Sequence, residues 1–262
     1  MPLKLIPVMI VENASVTAAR EGASVKELLN ENMRTLISRL QQHAYADGIR
    51  LMAAQYKNDY TLLENFTDIR NIPGKVMDLP TKGGVTNTGL ALEKALEGLQ
   101  HKTGYWDKEG ISYGRPILLV VTDRDVTPGR NSNWTREKEG ELKARYADDY
   151  RNAAARIREM EAAGQLTVGA VKVTHIGSAR RSNELNALTN DPGNVFQCEA
   201  LYNSQLNMEN VISWLADAVR RSANEPFGNK PKGTVPRGMK RNVGDLNIDS
   251  VVCEFLGLTE QE

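Results

Sequence analysis

Three separated stretches of this 262-residue chain carry oxygen-bearing side chains at positions that could build one polar site. The first is Asn13-Ala14-Ser15-Val16-Thr17, which follows an apolar run at residues 5–11. The second is Gly83-Gly84-Val85-Thr86-Asn87-Thr88-Gly89, a glycine-bounded loop leading into a helical pattern. The third is Asp123, just past the apolar run Ile117-Leu118-Leu119-Val120-Val121. Taken singly, each stretch could be no more than a turn or a cap, because Asn, Ser and Thr side chains readily bond nearby backbone. Taken together, at the ends of strands, they predict an oxygen-lined site, since ligands of open α/β sheets sit outside the carboxyl ends of the strands.

The elements that must position these residues are legible from periodicity. Residues 5–11 are almost continuously apolar, as a strand buried on both faces must be. Val25, Leu28, Leu29, Met33, Leu36, Ile37 and Leu40 recur at spacings of three and four, which predicts an amphipathic helix. Ser24 is placed as its N-cap, with Glu27 completing a capping box. Residues 49–56 and 60–66 read as two strands joined by Lys57-Asn58-Asp59, a link too short for a parallel crossover and therefore a hairpin. A helix is expected over 88–99, the clearest central strand over 117–121, and polar loops over 102–115 and 126–140. Further along, the pattern predicts a charged helix at 141–163, a strand at 166–173, a short helix at 182–188 and an amphipathic helix at 208–222. The alternation gives an α/β class: a Rossmann-like, mostly parallel central sheet with one antiparallel edge strand and helices on both faces. A domain is expected over 1–222, followed over 223–262 by a linker rich in Pro, Gly, Lys and Asn and a tail whose Ile248, Val251, Val252, Phe255 and Leu256 could dock.

Composition narrows the function classes. Thirty-three basic residues balance thirty-three acidic ones, so no global field draws the chain to nucleic acid or to an anionic membrane. The basic stretch Lys230, Lys232, Arg237, Lys240 and Arg241 has only Phe227 near it for stacking and reads as a solvated linker. The apolar N-terminus is too short to span a bilayer and lacks a signal-peptide cleavage pattern, and Cys198 and Cys253 form neither a disulfide framework nor a CxxC pair; a cytoplasmic setting is expected. Gly83, Gly84 and Gly89 are not followed by the Gly-Lys-Ser/Thr of a phosphate loop. His43, His101 and His175 are isolated, and Ser15 lacks a nucleophile elbow, which argues against zinc or triad chemistry.

The run Pro7-Val8-Met9-Ile10-Val11-Glu12-Asn13-Ala14-Ser15-Val16-Thr17, with Thr86 and Asp123, resembles the von Willebrand A family and its metal-ion-dependent adhesion site, built from Asp-x-Ser-x-Ser, a loop Thr and an Asp after the central strand. The likeness extends over roughly residues 4–222 and is greatest to stand-alone bacterial proteins of the TerY-like group. It implies that Asn13, Ser15, Thr17, Thr86 and Asp123 surround a metal ion, with Mg²⁺ or Mn²⁺ suited to such oxygen donors. It implies, too, a non-catalytic module whose metal is completed by an Asp or Glu carboxylate of a protein partner. Two departures weaken the metal's hold: Asn13 replaces a carboxylate by a neutral amide, and Arg124 stands where the family has glycine, with Asp125 a partial offset. A register starting at Glu12 would put Ala14 and Val16 where oxygens are needed, so the Asn13 register is preferred. Two alternatives stay open: a metal-free scaffold with a degraded site, and a metal-dependent hydrolase using Glu12 or Asp125 as base.

Overall fold

A computed structural model describes residues 4–13, 25–57, 59–78, 86–122, 135–175, 184–200, 208–225 and 227. In chain order the elements are β1 (Ile6–Asn13), α1 (Val25–Gln41), β2 (Ile49–Tyr56), β3 (Tyr60–Asp68), α2 (Thr88–Lys108), β4 (Ile117–Thr122), α3 (Arg136–Ala162), β5 (Thr167–His175), β6 (Val195–Ala200) and α4 (Glu209–Asn224). They form one six-stranded sheet in the order β3-β2-β1-β4-β5-β6. Every pairing is parallel except β2 with β3, which is the expected hairpin. β1 is buried at all eight positions, so its apolar run has no solvent face.

Two helical layers cover the sheet. Leu29, Met33 and Leu36 of α1 and Val211, Leu215 and Val219 of α4 pack on Ile6, Val8 and Ile10. On the other side, Leu92, Leu96 and Leu99 of α2 and Tyr150, Ala153 and Ile157 of α3 pack on Met9, Val11, Leu118 and Val120. Alternation along each strand thus assigns every strand residue to one layer or the other.

The structure corrects several sequence-based expectations. α2 does not end near Leu99 but runs on to Lys108, across a stretch expected to be loop. Trp106, buried against Phe66 and Tyr113 at ring distances of 5.6 and 5.5 Å, anchors the extra turns. α3 starts at Arg136 rather than five residues later, because the Thr135 hydroxyl accepts from the Lys138 amide and caps it. β6 went unrecognised: its Gln197 and Glu199 break an apolar pattern that an edge strand does not need. The short helix before it is a 3₁₀ turn, Leu185–Leu188. Ser24 lies outside the described residues, as do the sequence beyond Phe227 and the docking segment expected there.

At the amino ends of the strands the final helix is tied down. Lys4 Nζ donates to the Ser222 carbonyl at 2.9 Å and to that of Glu225, satisfying carbonyls that a helix C-terminus leaves open. Ser222 Oγ donates to the Arg115 carbonyl at 2.8 Å, the Arg115 guanidinium pairs with Glu225 at 2.8 Å, and the Phe227 ring lies 5.9 Å from that of Tyr113.

Candidate binding site at the carboxyl edge of the sheet

Strand order reverses direction between β1 and β4, and at such a switch point the two outgoing connections part and leave a crevice. β1 ends there at Asn13 and β4 at Thr122, both buried. Asn13 Nδ2 donates to Thr122 Oγ1 at 3.1 Å and to Thr86 Oγ1 at 3.4 Å. Three segments far apart in sequence therefore meet at one amide group.

Thr86 is held there by the start of α2. The Asn87 side chain accepts from the Leu90 amide and caps the helix, while the Asn87 amide donates to the Lys57 carbonyl at 2.8 Å at the end of β2. Thr88 Oγ1 lies 3.3 Å from Tyr56 Oη, and Tyr56 pairs in register with Asn13. Of the five residues singled out from the sequence, Asn13 and Thr86 are thus brought together. Ser15, Thr17 and Asp123 lie outside the described residues, as do Arg124 and Asp125; Asp123 directly follows Thr122 in the chain.

Two residues of this edge were not singled out from sequence. Thr122 is the described end of β4 and a direct partner of Asn13. Lys172 of β5 pairs in register with Thr122 and is only 6% exposed. Val168 and Ala170 of β5 belong to the layer under α2 and α3, so Lys172, two residues on, faces that same side, as do Asn13 and Thr122. The available signal was parity: a lysine in phase with buried positions of an otherwise apolar strand.

Glu12 occupies the opposite face. Its carboxylate is fully buried; Oε2 accepts from Gln55 Nε2 at 3.1 Å, and that same amide donates to the Met77 carbonyl at 3.0 Å. Among the described residues Glu12 Oε1 has no hydrogen-bond partner. Burial pushes the Glu12 carboxyl up to about 8, the Gln55 bond opposes this, and Asp78 adds to it. With its side chain under the other layer, Glu12 does not face Asn13, which removes one of the two candidate bases of the hydrolase alternative.

Of the residues expected around a divalent ion, only Asn13 and Thr86 are among those described. Asn13 turns its N–H donors, which cannot ligate, toward the two hydroxyls. Among the described residues, no group of three or more His, Cys, Asp or Glu side chains is placed to hold a metal.

No family model matches the sequence, and no curated protein matches it either. Solved structures do. The von Willebrand domain of the type V pilus tip protein Mfa5 from Porphyromonas gingivalis superposes with a TM-score of 0.57 at 12% identity, over 87% of this chain and 99% of that one. The fold is that of a von Willebrand A domain. Proximal thread matrix protein 1 of the mussel byssus has the same fold at a TM-score of 0.52 and 15% identity, over 87% of this chain and 49% of its own, and one structure of it has a zinc-occupied MIDAS motif. The pilus adhesin SpaC of Lactobacillus rhamnosus GG gives 0.54 at 11%, over 85% of this chain and 30% of its own. This von Willebrand A fold thus spans about half the length of the mussel protein and under a third of the adhesin. Among the described residues, no helix is long and apolar enough to cross a membrane.

Proposed function

We propose that this chain is a non-catalytic protein-interaction module that receives an acidic side chain of its partner at the carboxyl edge of the sheet. The observation that carries the reading is the junction of β1, β4 and the start of α2 at the Asn13 amide, which places hydroxyls from two segments at the switch point. The N-terminus of the 21-residue α2 opens at the same place, and its dipole favours a negative charge there. Asn13 and Thr86, with Ser15, Thr17 and Asp123 from the adjoining stretches, form the recognition surface in this reading. The neighbours' settings in pili and byssus are in keeping with an adhesive or interacting role. A cytoplasmic place in a bacterial stress-response or signalling system, as the TerY-like likeness implies, is part of the same proposal, as is a boundary near residue 222 between the module and its tail.

Two versions differ in whether Mg²⁺ or Mn²⁺ bridges the partner's carboxylate. The Asn13 hydrogen bonds favour the metal-free version. The reading itself is tested by recovering partners from the native host with the full chain and with Asp123→Ala. We expect the variant to keep its circular dichroism and melting temperature and to lose the partner at least tenfold; equal recovery would remove this edge from the binding mechanism.

A further inference from the structure

We propose that the Asn13 amide is a built-in tie that does, without metal, the joining a divalent ion would do at this edge. The inference rests on the carboxyl edge being the binding site and goes on to say what keeps that edge assembled. An ion joins segments by drawing an oxygen lone pair from each toward one centre. Asn13 Nδ2 draws two in the same way, by donating to Thr122 Oγ1 at the end of β4, 3.1 Å away, and to Thr86 Oγ1 ahead of α2, 3.4 Å away. Its own backbone ends β1, so three segments converge on one nitrogen. Asn13, Thr86 and Thr122 are at most 1% exposed, and bonds so enclosed are stronger than their counterparts in water. Fixing Thr86 fixes more than one hydroxyl, because the next residue, Asn87, donates to the Lys57 carbonyl after β2 and caps α2 at Leu90. The residue type at position 13 decides what holds the edge. A carboxylate has no hydrogen to give and would bury a negative charge that calls for a cation, whereas the amide is neutral and brings two donors at the same size.

The readout is hydrogen exchange of the full chain at the Leu90 and Ala91 amides, both bonded to Asn87 in the first turn of α2, and the probe is Mn²⁺ alone, at millimolar concentration against chelator. Wild-type exchange is expected to be the same in both. Asn13→Leu keeps the bulk and deletes the donors; exchange at those two amides should quicken at least tenfold while the amides of α4 keep their wild-type rates. Thr122→Val keeps the shape and removes one of the two acceptors; it is expected to show the same effect in smaller measure, and it carries the test if the leucine variant does not fold. Asn13→Asp should exchange as fast as the leucine variant in chelator and be slowed at least tenfold by Mn²⁺, a rescue that a merely space-filling residue would not show. Saturable Mn²⁺ binding by the wild type at submillimolar concentration, read by titration calorimetry, overturns the proposal. So do folded Asn13→Leu or Thr122→Val variants that keep wild-type protection at the start of α2, and so does a folded Asn13→Asp that Mn²⁺ does not slow. If these results come out as expected while Asp123→Ala still recovers the partner, the binding-edge reading fails and the tie stands. If Asp123→Ala loses the partner but the wild type binds Mn²⁺, the reverse holds.

Discussion

Glu12→Gln is expected to stabilise the protein by on the order of 4 kcal/mol at pH 8 and to flatten the dependence of its stability on pH. Glu12 is wholly enclosed, one carboxylate oxygen accepts from Gln55 and the other has no partner among the described residues, and desolvation raises its pKa from 4.5 to about 8. Between those two values the folded chain retains a proton that the unfolded chain has released. The favourable contribution is therefore complete below about pH 4.5 and declines as pH rises toward 8, by up to ~1.4 kcal/mol per pH unit. Glutamine keeps the shape and the acceptor for Gln55 and has no charge to bury. Urea unfolding from about pH 5 to pH 8 should show a steep fall in the wild-type midpoint and a nearly level one in the variant. Parallel curves would mean that Glu12 is ionised in the fold or finds another partner.

Gly89→Ala is expected to destabilise the domain by about 3 kcal/mol, the upper end of the usual penalty for overpacking, and to lower its melting temperature by roughly 6–12 °C. A β-carbon at Gly89 would lie 2.4 Å from both the Asp149 carbonyl carbon and the Tyr150 nitrogen. These are backbone atoms of α3, so a rotamer change cannot relieve the clash; the two helices must separate. Because Gly89 sits three residues beyond Thr86, that separation should also displace the Thr86 hydroxyl from Asn13. Gly140→Ala is the contrast: its β-carbon meets nothing within 4 Å in α3, and alanine there should stabilise by up to ~1 kcal/mol. Thermal melts of both variants read the two signs; a Gly89→Ala domain of unchanged stability would mean that α2 and α3 are less closely seated.

These two residues illustrate what sequence could disclose. β1 and β4 are legible because burial on both faces leaves an apolar run; the Asn13 and Asp123 stretches are legible because they fall at the ends of such runs, and the Thr86 stretch because glycines bound it ahead of a helix. The final turns of α2 are not, because Gly104 and the polar residues around it mask a helix whose extension depends on Trp106 meeting Phe66 from another element. Lys172 was passed over for the same kind of reason: alone it is one polar residue in a strand, and only the pairing with Thr122 reveals its neighbours. Glu12 and Asn13 are adjacent in sequence and compete for the same role on paper, yet the pleat sends them to opposite layers and gives one a buried carboxyl and the other the crevice.

Lys4, Arg115 and Ser222 fasten the outgoing chain at the strand starts, whereas Asn13 and Thr122 lie at the strand finishes, a β1 length of about 26 Å away. Phe227, the last described residue, therefore lies beside Tyr113 at the pole opposite the crevice. Tethered by that end to a surface or a larger assembly, the module would present its receptive rim outward, as a hook mounted by its shank.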